Sequence, residues 1–92
     1  MTTKELLETL EFLDYEWEEV TTNEMKSSSN WFLYGTFIRI KYKGDVVAKV
    51  SLDHQHIYSF SHKGFYMLPQ KEKELLHLIV ERYSWTKVSK RR

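Results

Sequence analysis

Three histidines, His54, His56 and His62, lie close together, with Asp53 beside the first. On a strand, His-x-His puts both imidazoles on one side, which is how a metal pair can begin. A metal would still need a third and a fourth ligand at about 2 Å, and only His62 or Asp53 could supply them. Asp53-His54-Gln55 also reads as a turn between strands, where polar residues are needed whatever their chemistry. The cluster is therefore read as turn residues, and no metal or other cofactor is expected. His77 falls in a helical pattern and reads as a partly exposed surface residue.

Covalent and acid–base catalysis find no better footing. Serines are plentiful, but no Gly-x-Ser-x-Gly elbow is present. Gly35, Gly44 and Gly64 are too far apart to form a glycine-rich phosphate loop. Closely spaced carboxylates are confined to the first segment, where a solvated helix face accounts for them. The expectation is a protein that is not an enzyme.

Binding chemistry remains. Phe37, Arg39, Lys41 and Lys49 share one parity in a stretch that alternates apolar and polar residues, so they form the candidate partner-binding set. An aromatic among cations can stack a base and grip phosphates. It can equally anchor a protein, because aromatics and Arg dominate interface energetics. Charge bears on the choice. Residues 1–24 hold eight acidic residues and one Lys, a net −7, and the remainder carries +8, so the chain has a net charge of only +1. At so small a net charge, the counterion release that drives nucleic-acid binding is modest.

The elements that would position this set follow from periodicity. Thr2 and Glu5 stand in capping-box spacing, and Leu6, Leu10, Leu13, Trp17 and Val20 recur on one helical stripe, predicting a helix over about 3–18. Tyr15-Glu-Trp-Glu also alternates like a strand, and acidic residues near a helix C-terminus oppose its dipole, which favours an earlier stop. Residues 21–30 read as a loop. Strands are expected at about 31–43, 46–52 and 56–61, with a bulge at Gly35 that brings Trp31 and Leu33 onto the inner face. Parity favours a three-residue turn, Lys43-Gly44-Asp45, which pairs Tyr42 with Val46 and sets Arg39 opposite Lys49. Phe65-Tyr66-Met67-Leu68 is a dense apolar patch, a short strand or a packed lead-in. Pro69 suits the first turn of a second helix over about 70–83, with Leu75, Ile79 and Tyr83 in line and Leu76 and Val80 alongside. Residues 89–92 are expected to be a disordered basic tail.

The whole predicts one α+β domain of order αβββα: a three-stranded antiparallel meander with two helices on one face. Leu10, Leu13, Ile38, Ile40, Val50, Leu76 and Ile79 are expected to meet in the core. Aromatics at 15% give this small core much of its apolar area. With no cysteine and no apolar run of membrane-spanning length, a soluble cytoplasmic protein is expected.

The order αβββα is also that of double-stranded-RNA-binding domains, and Lys63-Gly64-Phe65 echoes the opening of the RNP1 motif. Tyr66 stands where that motif has a small residue, and Lys71 and Lys73 alternate with Glu72 and Glu74 at the helix start that would meet phosphate. The segment from Leu68 to Tyr83, Leu-Pro-Gln-Lys-Glu-Lys-Glu-Leu-Leu-His-Leu-Ile-Val-Glu-Arg-Tyr, resembles the C-terminal segment of small uncharacterised proteins encoded by phages and prophages of Gram-positive bacteria. The resemblance implies a non-enzymatic module that binds a host or phage protein, and assigns no residue a role. RNA or DNA binding through the basic sheet face is the alternative.

Overall fold

A computed structural model of the chain describes residues 1–22 and 35–91. Helix α1 spans Thr3–Phe12 and opens with the expected capping box: the Thr2 hydroxyl accepts from the Glu5 N–H, and the Glu5 carboxylate accepts from the Thr2 N–H. Leu6 and Leu10 are its buried residues. The helix does not continue to residue 18. Asp14 takes a left-handed conformation at φ 66°, and the Tyr15 N–H then donates to the Leu10 carbonyl. Asp tolerates that conformation better than most residues. The stop also spares the helix's negative end a run of carboxylates.

The residues beyond the stop form strand β1, Glu16–Thr22, which adds a fourth strand to the expected three. Strands β2 (Gly35–Tyr42), β3 (Asp45–Ser51) and β4 (Tyr58–Ser59) complete an antiparallel meander in the order β1-β2-β3-β4. Trp31 and Leu33, which the expected bulge at Gly35 would bring onto the inner face, lie outside the described residues. The β2–β3 turn has two residues, not three. Lys43 and Gly44 take φ 51° and 88°, and Tyr42 pairs with Asp45. Positive φ at both central residues is the twist-matched form of a two-residue hairpin. Parity is recovered by a register shift between Ile40 and Lys41: Lys41 pairs with Val46, Ile40 with Ala48, and Val47 is the extra residue. Beyond it the expected register holds, with Ile38 opposite Val50 and Arg39 opposite Lys49. Val47 is buried in the core instead of facing outward with Lys49.

Residues 63–66 form a short helix, α2, so the apolar patch from Phe65 is a packed lead-in and not a strand, and helix α3 follows from Gln70 to Trp85 with Pro69 as its N-cap. β4 pairs only with Lys49 and Val50 of β3. α2 lies against the rest of that edge so closely that a Cβ on Gly64 would come within 2.5 Å of the Val46 carbonyl oxygen. An edge that is covered cannot recruit a foreign strand.

α1 and α3 both bury their apolar stripes on the sheet face that carries Ile38, Ile40, Ala48 and Val50. Leu6, Leu10, Leu76, Ile79, Val80 and Tyr83 supply the helical side of the core. Six of the seven expected core residues are buried, while Leu13 is half-buried at the helix end. Leu75, expected on the line of Ile79 and Tyr83, is exposed.

The chain end departs furthest from expectation. Val88–Lys90 forms a 3-10 turn, and Arg91 is only 2% exposed. Its guanidinium donates to the carbonyls of Ser51, Leu52, His54, Ser84 and Thr86 and lies 4.4 Å from the centre of the Tyr83 ring. Its own carbonyl accepts from the Thr3 N–H at 2.7 Å. Arg92 lies outside the described residues.

Four substitutions at three positions test this packing. Leu76→Ala should destabilise the protein by about 2–5 kcal/mol in urea unfolding, as loss of a fully buried leucine does. Arg91→Ala should cost about 1–3 kcal/mol or more, because the carbonyls left behind are sealed from water. Arg91→Lys should not recover it, since an ammonium cannot fork. Lys90→Ala, one residue away and exposed, should stay within about 0.5 kcal/mol of wild type. Equal effects at 90 and 91 would mean that the terminal segment does not hold the fold.

Candidate binding surfaces

The outer face of the sheet gathers the expected cations and adds an acid. Rows across the strands run Glu18–Arg39–Lys49–Ser59 and Glu16–Lys41–Val46. Glu18 pairs with the Arg39 guanidinium, and its Oε1 lies 3.3 Å from the Lys41 ammonium. These hydrogen bonds, Arg39's above all, hold the Glu18 carboxyl below its usual range. Two of the three expected cations are thus spent on one carboxylate. Lys49 lies opposite Arg39 with no carboxylate partner among the described residues. Partial burial, then the Arg39 charge, lowers its pKa. Phe37 belongs to this face by register, opposite Val20 and Ser51, but is only 6% exposed. It is a packed residue and not the open aromatic anchor expected of it.

The histidines separate. His54 is exposed, and its N–H donates to the Ser51 hydroxyl. His56 sits at φ 67°, its N–H donates to the Ser84 carbonyl, and its ring meets Trp85 edge-on at 5.8 Å. Asp53 turns elsewhere: its carboxylate accepts from the Thr36 N–H beside Gly35. No group of three or more potential metal ligands forms among the described residues. His62 precedes α2 with its Nε2 buried and without a hydrogen-bond partner among the described residues. Desolvation, and then the Lys49 charge, lowers its pKa.

The chain does hold one Ser-x-x-Lys spacing, Ser84-Trp85-Thr86-Lys87, but the fold separates its members. Ser84 is wholly buried at the end of α3, whereas Lys87 lies beyond the helix and is exposed.

A second surface comes from α2 and α3. An open groove of about 520 Å³ is lined by Phe65, Gln70, Lys73, Glu74, His77, Leu78 and Glu81. Its aromatic wall is a cluster: Phe60 lies 4.8 Å from both the Phe65 and His77 rings, and Tyr58 meets Phe60 edge-on at 5.6 Å. His77 is fixed at its other side by Glu81, Nδ1 to Oε2 at 3.2 Å. Beside the groove Tyr66 is 66% exposed, with its ring edge-on to Phe65, and Met67 is 71% exposed. Leu78 is 53% exposed. The signal in the sequence was the apolar patch Phe65–Leu68 together with Leu75 and Leu78, leucines in excess of what one buried stripe requires.

No helix among the described residues is long and apolar enough to cross a membrane. No family model, curated protein or solved structure matches the chain. What the surfaces can do therefore rests on their own geometry.

His62 sets a pH dependence of stability. Its folded pKa lies below the ordinary value of 6.5, so the unfolded chain takes up a proton first as pH falls. Stability should therefore be full above neutrality and decline as pH drops through the histidine range. A melting temperature lower at about pH 5.5 than at pH 7.5, with the difference reduced in His62→Gln, is the expected result. An unchanged slope in the variant would remove His62 as the cause. Loss of the Glu18 pairing should follow only at more acid pH, because that carboxyl is held low.

Proposed function

We propose that this chain is a small non-catalytic module that binds another protein, and that it does so through the α2–α3 surface. The observation that carries the reading is the exposed apolar group Tyr66, Met67 and Leu78 beside the groove walled by Phe65 and His77. Exposed aromatic, Met and Leu side chains grouped at a groove with a polar rim are what protein interfaces bury. The resemblance of residues 68–83 to small phage and prophage proteins adds a host or phage protein as the kind of partner. The nucleic-acid alternative is weakened because Glu18 neutralises Arg39 and Lys41, and because Phe37 is covered.

Capture from extracts of the cells the chain comes from, at several salt concentrations, separates the two. Proteins retained by the wild type should be lost with Tyr66→Ala/Met67→Ala and kept with Arg39→Ala. Bare RNA and DNA duplexes should bind only weakly. Sub-micromolar duplex binding that falls by orders of magnitude with salt, and is lost with Arg39→Ala, would overturn the reading in favour of the sheet face.

A further inference from the structure

α3 has two faces, and only one is used by the fold. Leu76, Ile79, Val80, Tyr83 and Ser84 are buried against the core. At about 100° per residue, the side facing directly away from them carries Lys71, Glu74, Leu78, Arg82 and Trp85. All five are exposed, and Trp85 retains 59% of its surface. Leu75, also exposed, flanks this line. The positions step by three, four, four and three residues, so the line is symmetric about Leu78, which stands at the middle of the helix.

The chemistry is symmetric in a complementary sense. Lys71 and Trp85 are equidistant from Leu78, as are Glu74 and Arg82. A two-fold axis through Leu78 that sets two copies of α3 antiparallel brings Leu78 onto its own counterpart. It places each Glu74 beside the other copy's Arg82, and each Lys71 over the other copy's Trp85. Carboxylate with guanidinium is the strong bidentate pair. Indole is the ring that a cation prefers in cation–π contact. A parallel arrangement would instead oppose Glu74 to itself and Arg82 to itself.

The groups are ready for it. The Glu74 Oε1 accepts from the Gln70 amide at 3.2 Å, which leaves Oε2 for a partner. Neither Lys71 nor Arg82 forms an ion pair among the described residues. Trp85 is steadied by its carbonyl, which accepts from the Gln55 side chain, and by the His56 ring at its edge.

We infer that the outward face of α3 is an isologous interface, and that its partner is a second copy of this chain packed antiparallel through Leu78. A closed two-fold dimer is the commonest assembly, and self-complementarity about one point is its requirement. One helix pair buries less than a standard interface, so the dimer is weak and reversible. It goes beyond the binding function proposed above and needs no other partner: the two surfaces share Glu74 and Leu78, while Tyr66 and Met67 lie outside the dimer face.

Sedimentation equilibrium of the isolated chain tests it. The wild type should pass from monomer to dimer between about 5 µM and 1 mM, a span that brackets a weak helix-pair affinity. Leu78→Asp should remain monomeric, with an unchanged circular-dichroism spectrum because the residue is exposed. Glu74→Arg alone and Arg82→Glu alone should each weaken association at least about tenfold, while Glu74→Arg/Arg82→Glu together should restore it, since the swap recreates both pairs. A chain that stays monomeric at about 1 mM overturns the inference. So does a dimer indifferent to Leu78→Asp, or one that the double exchange fails to restore. None of these readouts involves another protein, so failure here is distinct from failure of the proposed binding function.

Discussion

A guanidinium with no carboxylate beside it among the described residues, sealed past the end of α3, ties together elements from both ends of the chain. Arg91 draws on carbonyls of β3 and the turn after it, and on the carbonyl end of α3. A buried cation without a counter-ion is costly unless hydrogen bonds satisfy it. Five carbonyl oxygens and the Tyr83 ring do so here, and the negative end of the α3 dipole points the same way. The backbone of Arg91 then accepts from Thr3, the Thr3 hydroxyl pairs with the Tyr83 hydroxyl at 2.7 Å, and the Met1 ammonium donates to Thr86. The start of α1 is thereby fixed against the end of α3, which sets how both helices lie across the sheet.

The charge pattern of the sheet follows from where α1 stops. Had the acidic segment stayed helical, the cations of β2 and β3 would have faced solvent as a basic patch. Because Asp14 turns the chain back, Glu16 and Glu18 arrive in the ladder beside Lys41 and Arg39. Opposite charges in neighbouring positions offset the repulsion between Arg39 and Lys49, which the register forces together. Glu18 therefore offsets Arg39 and Lys41 within the sheet, so these cations do not form an uncompensated basic face.

The exposed large apolar side chains of the α2–α3 region lie away from this face. α2 is four residues long and protects the free stretch of β3, yet it also lifts Tyr66 and Met67 into solvent. α3 closes the core with one stripe and leaves a second, mixed stripe outside. A helix with apolar residues on both sides is expected in an interior, and the outward leucines and Trp85 are what the proposed self-association would cover.

By itself the sequence determined the α+β class, the capping box, the inner residues Ile38, Ile40, Ala48 and Val50, the Arg39–Lys49 opposition and most of the core. Each is set by local periodicity or by a pairing between strands joined by a short turn. Only the tertiary structure decided the rest. Tyr15-Glu-Trp-Glu fits helix and strand alike, and pairing with β2 settled it as a strand. Parity favoured a three-residue turn, but a bulge at Val47 let the twist-favoured two-residue turn coexist with the expected Arg39–Lys49 register. Phe37 alternates as an outward residue yet is covered, because burial depends on what packs above a face and not on the strand's own period. Arg91 read as a solvated tail for the same reason: the carbonyls that hold it come from Ser51 to Thr86, and nothing in a run of Lys and Arg reveals that distant backbone will close around one of them.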